Sequence, residues 1–393
     1  MDAVTKCFSS PNESTTTAVV VTTVVTTLAI ASLTRFALWP RKPEIIKGAL
    51  TTSVPRLSKD ELAKAAYRID HFPGARDVAT PYGNIRVYEF GPEQGRKVLF
   101  IHGISTSCMT LSDIANSLVE KGCRVMMFDL FGRGYSDAPG DLPYDTRLFV
   151  SQILLVLASS PLSWTGNNAF SLIGYSLGGG IAVNFAATFP DMVESLILLA
   201  PAGMIRPENI GRLSRLIFTS GLVPERLLAW MTKSRLRSPI DNAVSKKRST
   251  ATKALSPAED KEDFVDVAVQ EAVDPPTQQN PTPFELEVVS FVHWSLDYNE
   301  GFVPAMMSTI RYAPLMEQQE YWRLLAKRKP GTTAVLIGHD DNLIQREDYE
   351  EDALPLIGGK DNVFWRIVPG AHNFPFTHPS SALKAIYEFW GMS

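Results

Sequence analysis

Ser176 sits in "GYSLGGG", with Gly174 two residues before it and Gly178 two residues after. A serine hydroxyl is a weak nucleophile near neutral pH; it attacks when a base takes its proton and an acid orients that base. The G-x-S-x-G spacing suits this use. A serine at the point of a sharp strand-to-helix turn stands clear of the sheet, and side chains two residues away on either side would collide across the turn. Any base comes from His71, His102, His293, His339, His372 or His378. "VLIGHDDNLI" offers two neighbouring carboxylates at the end of a strand-like run, Asp340 and Asp341. Covalent acyl chemistry is one reading of these residues. A glycine-rich turn with an incidental serine is the plainer one.

The elements around these residues have a consistent rhythm. "KVLFIHG", "RVMMFDL", "AFSLIGYS", "SLILLAP", "TAVLIGHDD" and "FWRIVPGAH" are short apolar runs that end in Gly, Pro or a polar residue. Such runs suit strands buried on both faces, and the stretches between them have helix length. "LSDIANSLVEKG" ends with Gly122 placed to terminate a helix, and "GGGIAVNFAATFP" is stopped by Pro190. Around Tyr82-Gly83-Asn84, two alternating segments read as a hairpin. Ser58 and Glu61 form a capping-box pattern ahead of a short helix. The expected fold class is α/β, a doubly wound and mostly parallel sheet with an antiparallel start. Between Met204 and about Tyr298 the alternation breaks: "KSRLRSPIDNAVSKKR" is basic, "EDKEDFVD" acidic, and "DPPTQQNPTPFE" rich in proline. A mostly helical cap inserted between two core strands accounts for this stretch, with the charge runs as its solvated faces. The expected organisation is an N-terminal segment to 49, a connector over 50–75, core over 76–203, cap over 204–298 and core again over 299–393.

From about residue 76 to 392, excluding much of the insertion, these motifs resemble the α/β-hydrolase superfamily. "FIHGIS" is similar to the His-Gly turn that follows the family's third strand. The resemblance implies an oxyanion hole made by the backbone N–H groups of Ile104 and Leu177, with His102 a structural residue of its turn. "DLFGRGYSD" looks like the family's D-x-x-G-x-G-x-S segment, which shapes the loop beside the site. It also implies a base in the loop after the last strand, which selects His372, and an acid at G-x-x-D spacing from Gly338, which selects Asp341 over Asp340. His378 is then a residue at the start of the final helix, His339 a bystander and His293 a packed residue of the insertion. Ser176, Asp341 and His372 occur in the chain order that this fold requires.

A serine nucleophile implies an acyl-enzyme and argues against relatives that use aspartate, such as epoxide hydrolases and haloalkane dehalogenases. Esters, thioesters and amides fit. So do carbon–carbon bond hydrolysis and acyl transfer, and a slow ligand-binding receptor or a scaffold is the non-enzymatic alternative. No metal or organic cofactor is expected. Phe291, Trp294, Phe302, Met306 and Met307 are candidates for an apolar pocket, although a helical core stripe explains them about as well.

Composition narrows the partners. The net charge is −4 and no basic block could track a phosphate backbone, so nucleic acid is not expected. Cys7, Cys108 and Cys123 form neither a disulfide framework nor a metal-ligand pattern. Residues 18–34, "AVVVTTVVTTLAIASLT", carry no charge, and extended to Trp39 they have the length of a transmembrane helix. Arg35, Arg41, Lys42 and Lys47 on the C-terminal side place the large domain in the cytosol, with an endomembrane as the expected location. A signal peptide cleaved after Ala29-x-Ala31 is the rival expectation, opposed by Asp2 and Glu13 in the leading segment.

Overall fold

The structure, a computed structural model, describes residues 13–38, 43–220, 222–245, 271 and 282–392. Its centre is an eight-stranded sheet. β1 (Ala75–Thr80) alternates in burial and pairs antiparallel with β2 (Gly83–Phe90), the hairpin turning through Pro81 and Tyr82. β3 (Lys97–Ile101), β4 (Arg124–Phe128), β5 (Phe170–Tyr175), β6 (Val193–Leu199) and β7 (Thr333–Gly338) are the apolar runs. They are buried almost throughout because helices cover both faces. β8 (Phe364–Val368) is the edge strand and is correspondingly more open. The order across the sheet is β8-β7-β6-β5-β3-β4-β2-β1. Pairing is parallel from β8 to β4 and antiparallel beyond.

Parallel strands bring their C-terminal ends to one edge, where open α/β sheets bind ligands. β3 is registered on β5 with Ile101 opposite Gly174, and β7 on β8 with Gly338 opposite Val368. The loops after β3, β5, β7 and β8 therefore leave the sheet at the same edge.

The helices form for local reasons visible in the sequence. Ser58 and Glu61 make the reciprocal capping box, although the helix it opens is only Lys59–Ala63. α1 spans Glu13–Leu38, α2 Ser112–Glu120, α3 Thr146–Ala158 and α4 Leu177–Thr188. Gly122 takes a positive φ of 86° just past α2, as its C-terminal role requires. Between β6 and β7 lie α5 (Arg212–Thr219), α6 (Glu225–Ser245), α7 (Pro283–Tyr298), α8 (Phe302–Tyr312) and α9 (Gln319–Leu325). α10 (Pro379–Trp390) closes the chain. The basic cluster Lys246-Lys247-Arg248, the acidic run and residues 274–281 of the proline-rich run lie outside the described residues, as does Cys7. Cys108 and Cys123 are buried free thiols.

One pairing had no signal in the sequence. Ile45–Ile46 lies antiparallel to Ala138–Pro139, a ladder too short to show any periodicity. Asp137 anchors it, accepting hydrogen bonds from the Gly48 and Asn84 amides at 2.7 and 2.9 Å and from Lys47 Nζ at 3.0 Å.

α1 (Glu13–Leu38) carries the segment expected to span a membrane. Val19, Val20, Val21, Val24, Val25, Leu28, Ile30 and Leu33 stand exposed along it, and Thr23 Oγ1 donates to the Val19 carbonyl. Among the described residues, however, no helix is long and apolar enough to cross a membrane. The expected span over 18–39 therefore has no support from the structure, and its last residue, Trp39, lies outside the described residues.

Candidate active site

The strand-to-helix turn after β5 puts Ser176 at φ 53° and ψ −119°, a strained conformation for a non-glycine residue, costing on the order of 1–3 kcal/mol. The flanking glycines make the turn feasible: a Cβ on Gly174 would lie 2.3 Å from the Gly178 carbonyl oxygen, and one on Gly178 would lie 2.2 Å from that of Ile101. The turn is tied down by the Ser176 amide donating to the Leu199 carbonyl at 3.0 Å, and by the Ala202 amide donating to the Ser176 carbonyl at 2.9 Å.

Three side chains meet above this turn. His372 Nε2 is 2.9 Å from Ser176 Oγ, and His372 Nδ1 is 2.9 Å from Asp341 Oδ2. The second carboxylate oxygen, Oδ1, accepts from the amides of Leu343 at 3.0 Å and Ile344 at 2.8 Å. All three residues are buried. Asp340 points elsewhere; it is exposed and pairs with His339 Nδ1 at 2.8 Å. His378 lies against Thr377 Oγ1, and His71 against Ser112 Oγ. The buried Nε2 of His293 finds no hydrogen-bond partner among the described residues.

His102 is locked in one neutral form. Its Nε2 accepts from the Leu130 amide at 2.9 Å, so the proton resides on Nδ1 and is donated to the Gly103 carbonyl at 2.9 Å. Burial, reinforced by the nearby Arg133 charge, lowers its pKa to about 3. In the unfolded chain this imidazole binds a proton below about 6.5 while the folded one does not, so its stabilising contribution is complete above 6.5 and falls as the pH drops towards 3. The slope is about 1.4 kcal/mol per pH unit at most. Asp129 acts in the opposite direction, because burial raises its carboxyl to about 6. His102→Gln isolates the histidine: the variant should be less stable than wild type at pH 7, and the gap in denaturant midpoints should narrow towards pH 5. A gap independent of pH would refute the neutral assignment.

The "DLFGRGYSD" loop shapes the site as the resemblance implies. Asp129 accepts from the amides of Cys108 and Tyr135 and from Tyr67 Oη. Sequence reasoning gave Arg133 no role, yet it is fully buried and braces the loop after β3. Its Nε donates to the Ile104 carbonyl at 3.0 Å, Nη1 to the Phe131 carbonyl and Nη2 to Thr309 Oγ1. Burial lowers its guanidinium to about 10.

Leu177 opens α4, so its N–H has no acceptor within the helix and lies beside the serine. The Ile104 N–H is occupied: it donates to Glu271 Oε2 at 2.6 Å. Sequence reasoning also missed Glu271, whose only signal was one more acidic residue in a charged insertion.

The five residues proposed for a pocket fall into two groups. Phe291, Phe302, Met306 and Met307 are buried in the hydrophobic core, and Phe291 meets Tyr67 edge-on at 5.4 Å. Trp294 borders a cavity of about 310 Å³ with Arg68, Asp70 and Tyr135, and none of Ser176, Asp341 or His372 lines it.

The strand order and the residues at the strand ends agree with what comparison finds, since a family model described as the alpha/beta hydrolase fold matches residues 97–379. The chain belongs to the α/β-hydrolase fold family. The human serine hydrolase-like protein is 38% identical over 124 residues, 31% of this chain and 58% of that protein. The Danio rerio serine hydrolase-like protein is 33% identical over 132 residues, 33% of this chain and 39% of that protein. The match thus covers less than two thirds of either relative. Among solved structures, an esterase from Exiguobacterium antarcticum has a TM-score of 0.54 at 19% identity, over 81% of this chain and 99% of that one. A carboxylesterase from Bacillus subtilis reaches 0.52 at 15% identity, over 91% and 94%. At these identities the likeness concerns the fold alone.

Proposed function

We propose that this α/β hydrolase is a serine hydrolase that cleaves a carboxylic ester, or a related acyl bond, through an acyl-enzyme on Ser176. The observation that carries this reading is the unbroken chain from Ser176 Oγ through His372 to an Asp341 carboxylate pinned by two amides. The names of the serine hydrolase-like relatives agree with it.

Each step follows from the arrangement. Ser176 Oγ attacks the substrate carbonyl carbon while His372 Nε2 takes the hydroxyl proton. Asp341 keeps the other imidazole proton on Nδ1 and balances the imidazolium charge. The negative charge that develops on the carbonyl oxygen falls to the Ile104 and Leu177 N–H groups, donors of a kind worth about 3–4 kcal/mol when one is removed. Collapse expels the leaving group, which receives the proton from His372. Water deprotonated by His372 then attacks the acyl-enzyme and frees Ser176.

A hydrophobic substrate is part of the proposal, supported by the apolar side chains of α7 and α8, where Phe284 meets Phe376 edge-on. Medium-chain acyl esters should be turned over faster than acetate, and the reverse ranking would remove this element. Thioesters and vinylogous diketones in the same panel separate ester hydrolysis from thioester and carbon–carbon bond cleavage.

We also propose membrane residence through α1, with the hydrolase domain on the cytosolic side, supported by its exposed valines and leucines. Removing residues 1–39 should release the protein from the membrane fraction with its specific activity intact. Continued sedimentation of the truncated chain with membranes would assign attachment to another surface.

A further inference from the structure

Glu271 is an ionisable group in an improbable place. Its carboxyl is fully buried among backbone and side-chain donors of the loop after β3. Oε2 accepts from the Ile104 amide at 2.6 Å and Oε1 from Thr106 Oγ1 at 2.6 Å, while the Ser105 amide lies 3.4 Å from both. The seat is shaped for it: a Cβ on Gly103 would come within 2.2 Å of Oε1, so only glycine lets the carboxylate rest on the backbone there. Burial raises the carboxyl above its ordinary pKa, whereas the Thr106 hydroxyl, the His372 imidazole and the two amides favour its charged form.

The Ile104 N–H is the donor that the proposed mechanism aims at the substrate oxygen. One N–H cannot serve Glu271 and a substrate carbonyl at full strength together. An acceptor carried by the chain itself competes for this donor at high effective concentration, and more strongly still wherever its carboxyl is ionised.

We propose that Glu271 is an internal competitive occupant of the oxyanion hole, so that substrate or inhibitor engages Ser176 only by displacing its carboxylate. The inference rests on the serine-hydrolase reading. Its consequence is that the resting protein is self-restrained, and that the side chain sets a threshold on which acyl groups gain access.

The test uses the full chain as wild type, Glu271→Gln and Glu271→Ala, following the second-order rate of Ser176 labelling by a fluorophosphonate and kcat/KM on a p-nitrophenyl acyl ester. Glu271→Ala should accelerate both by about fivefold or more. Glu271→Gln, isosteric but neutral, should fall between it and wild type. Acetate at tens of millimolar should slow Glu271→Ala and leave wild type unaffected, because only the variant offers an empty carboxylate seat. Labelling of wild type at a rate equal to or above that of both variants would overturn the inference and leave the serine-hydrolase reading standing. Absence of labelling in all three proteins would overturn both.

Discussion

Ser176→Ala should lower kcat on the best acyl ester by roughly 10⁶-fold, as expected when the nucleophile of a serine–histidine–aspartate unit is removed. The fold should survive, because alanine carries the same Cβ into the strained turn at φ 53° and loses only the Oγ that meets His372. The thermal midpoint should therefore stay within a few degrees of wild type. Fluorophosphonate labelling, followed by mass spectrometry of the modified peptide, should mark Ser176 in wild type and nothing in the variant. Activity that persists in Ser176→Ala at even a hundredth of wild type would mean another group attacks the carbonyl. A folded wild-type protein that never labels would instead favour a ligand-binding role on the same fold. The two failures look different, so the experiment separates a wrong residue from a wrong class of function.

The sequence revealed most where chemistry coincides with the ends of strands. Ser176, Asp341 and His372 are remote in the chain, but each follows an apolar run of strand length, and parallel strands deliver their C-terminal ends to one edge. The choice of Asp341 over Asp340 needed a family spacing. The structure adds the physical reason: Asp340 faces solvent with His339, whereas Asp341 is buried and tied to two amides. Glu271 was illegible for the opposite reason. It belongs to no strand end and to a stretch whose charges read as a solvated surface, and nothing local in "VQEAVD" distinguishes a buried carboxylate from an exposed one. Arg133 was hidden because its guanidinium serves carbonyls and a hydroxyl, with no carboxylate to announce it. Phe291, Trp294, Phe302, Met306 and Met307 show the limit of periodicity. An apolar helical face has the same spacing whether it packs against core or borders a pocket: Phe291, Phe302, Met306 and Met307 are buried in the core, whereas Trp294 borders a cavity.

Asp341→Asn should cost roughly 10⁴-fold in kcat, nearly as damaging as losing the nucleophile although it changes one atom of a residue that never touches substrate. The hydrogen bonds around the carboxylate dictate why. The Leu343 and Ile344 amides both donate to Oδ1, so the asparagine carbonyl must take that position. Its amide nitrogen is then left facing His372 Nδ1 at the 2.9 Å contact that Oδ2 makes in wild type. An NH₂ there can only donate. The imidazole must answer with a bare Nδ1, which moves its proton to Nε2, and an Nε2 that carries a proton cannot accept one from Ser176. KM should change little, because no group on the substrate side is altered, and phosphonate labelling should slow in parallel with turnover. Asp340→Asn is the matched control: one residue away, exposed and paired with His339, it should leave kcat within about twofold. If Asp341→Asn kept more than a tenth of wild-type turnover, the imidazole would not depend on this carboxylate for its tautomer, and the 2.9 Å contact would be packing rather than mechanism.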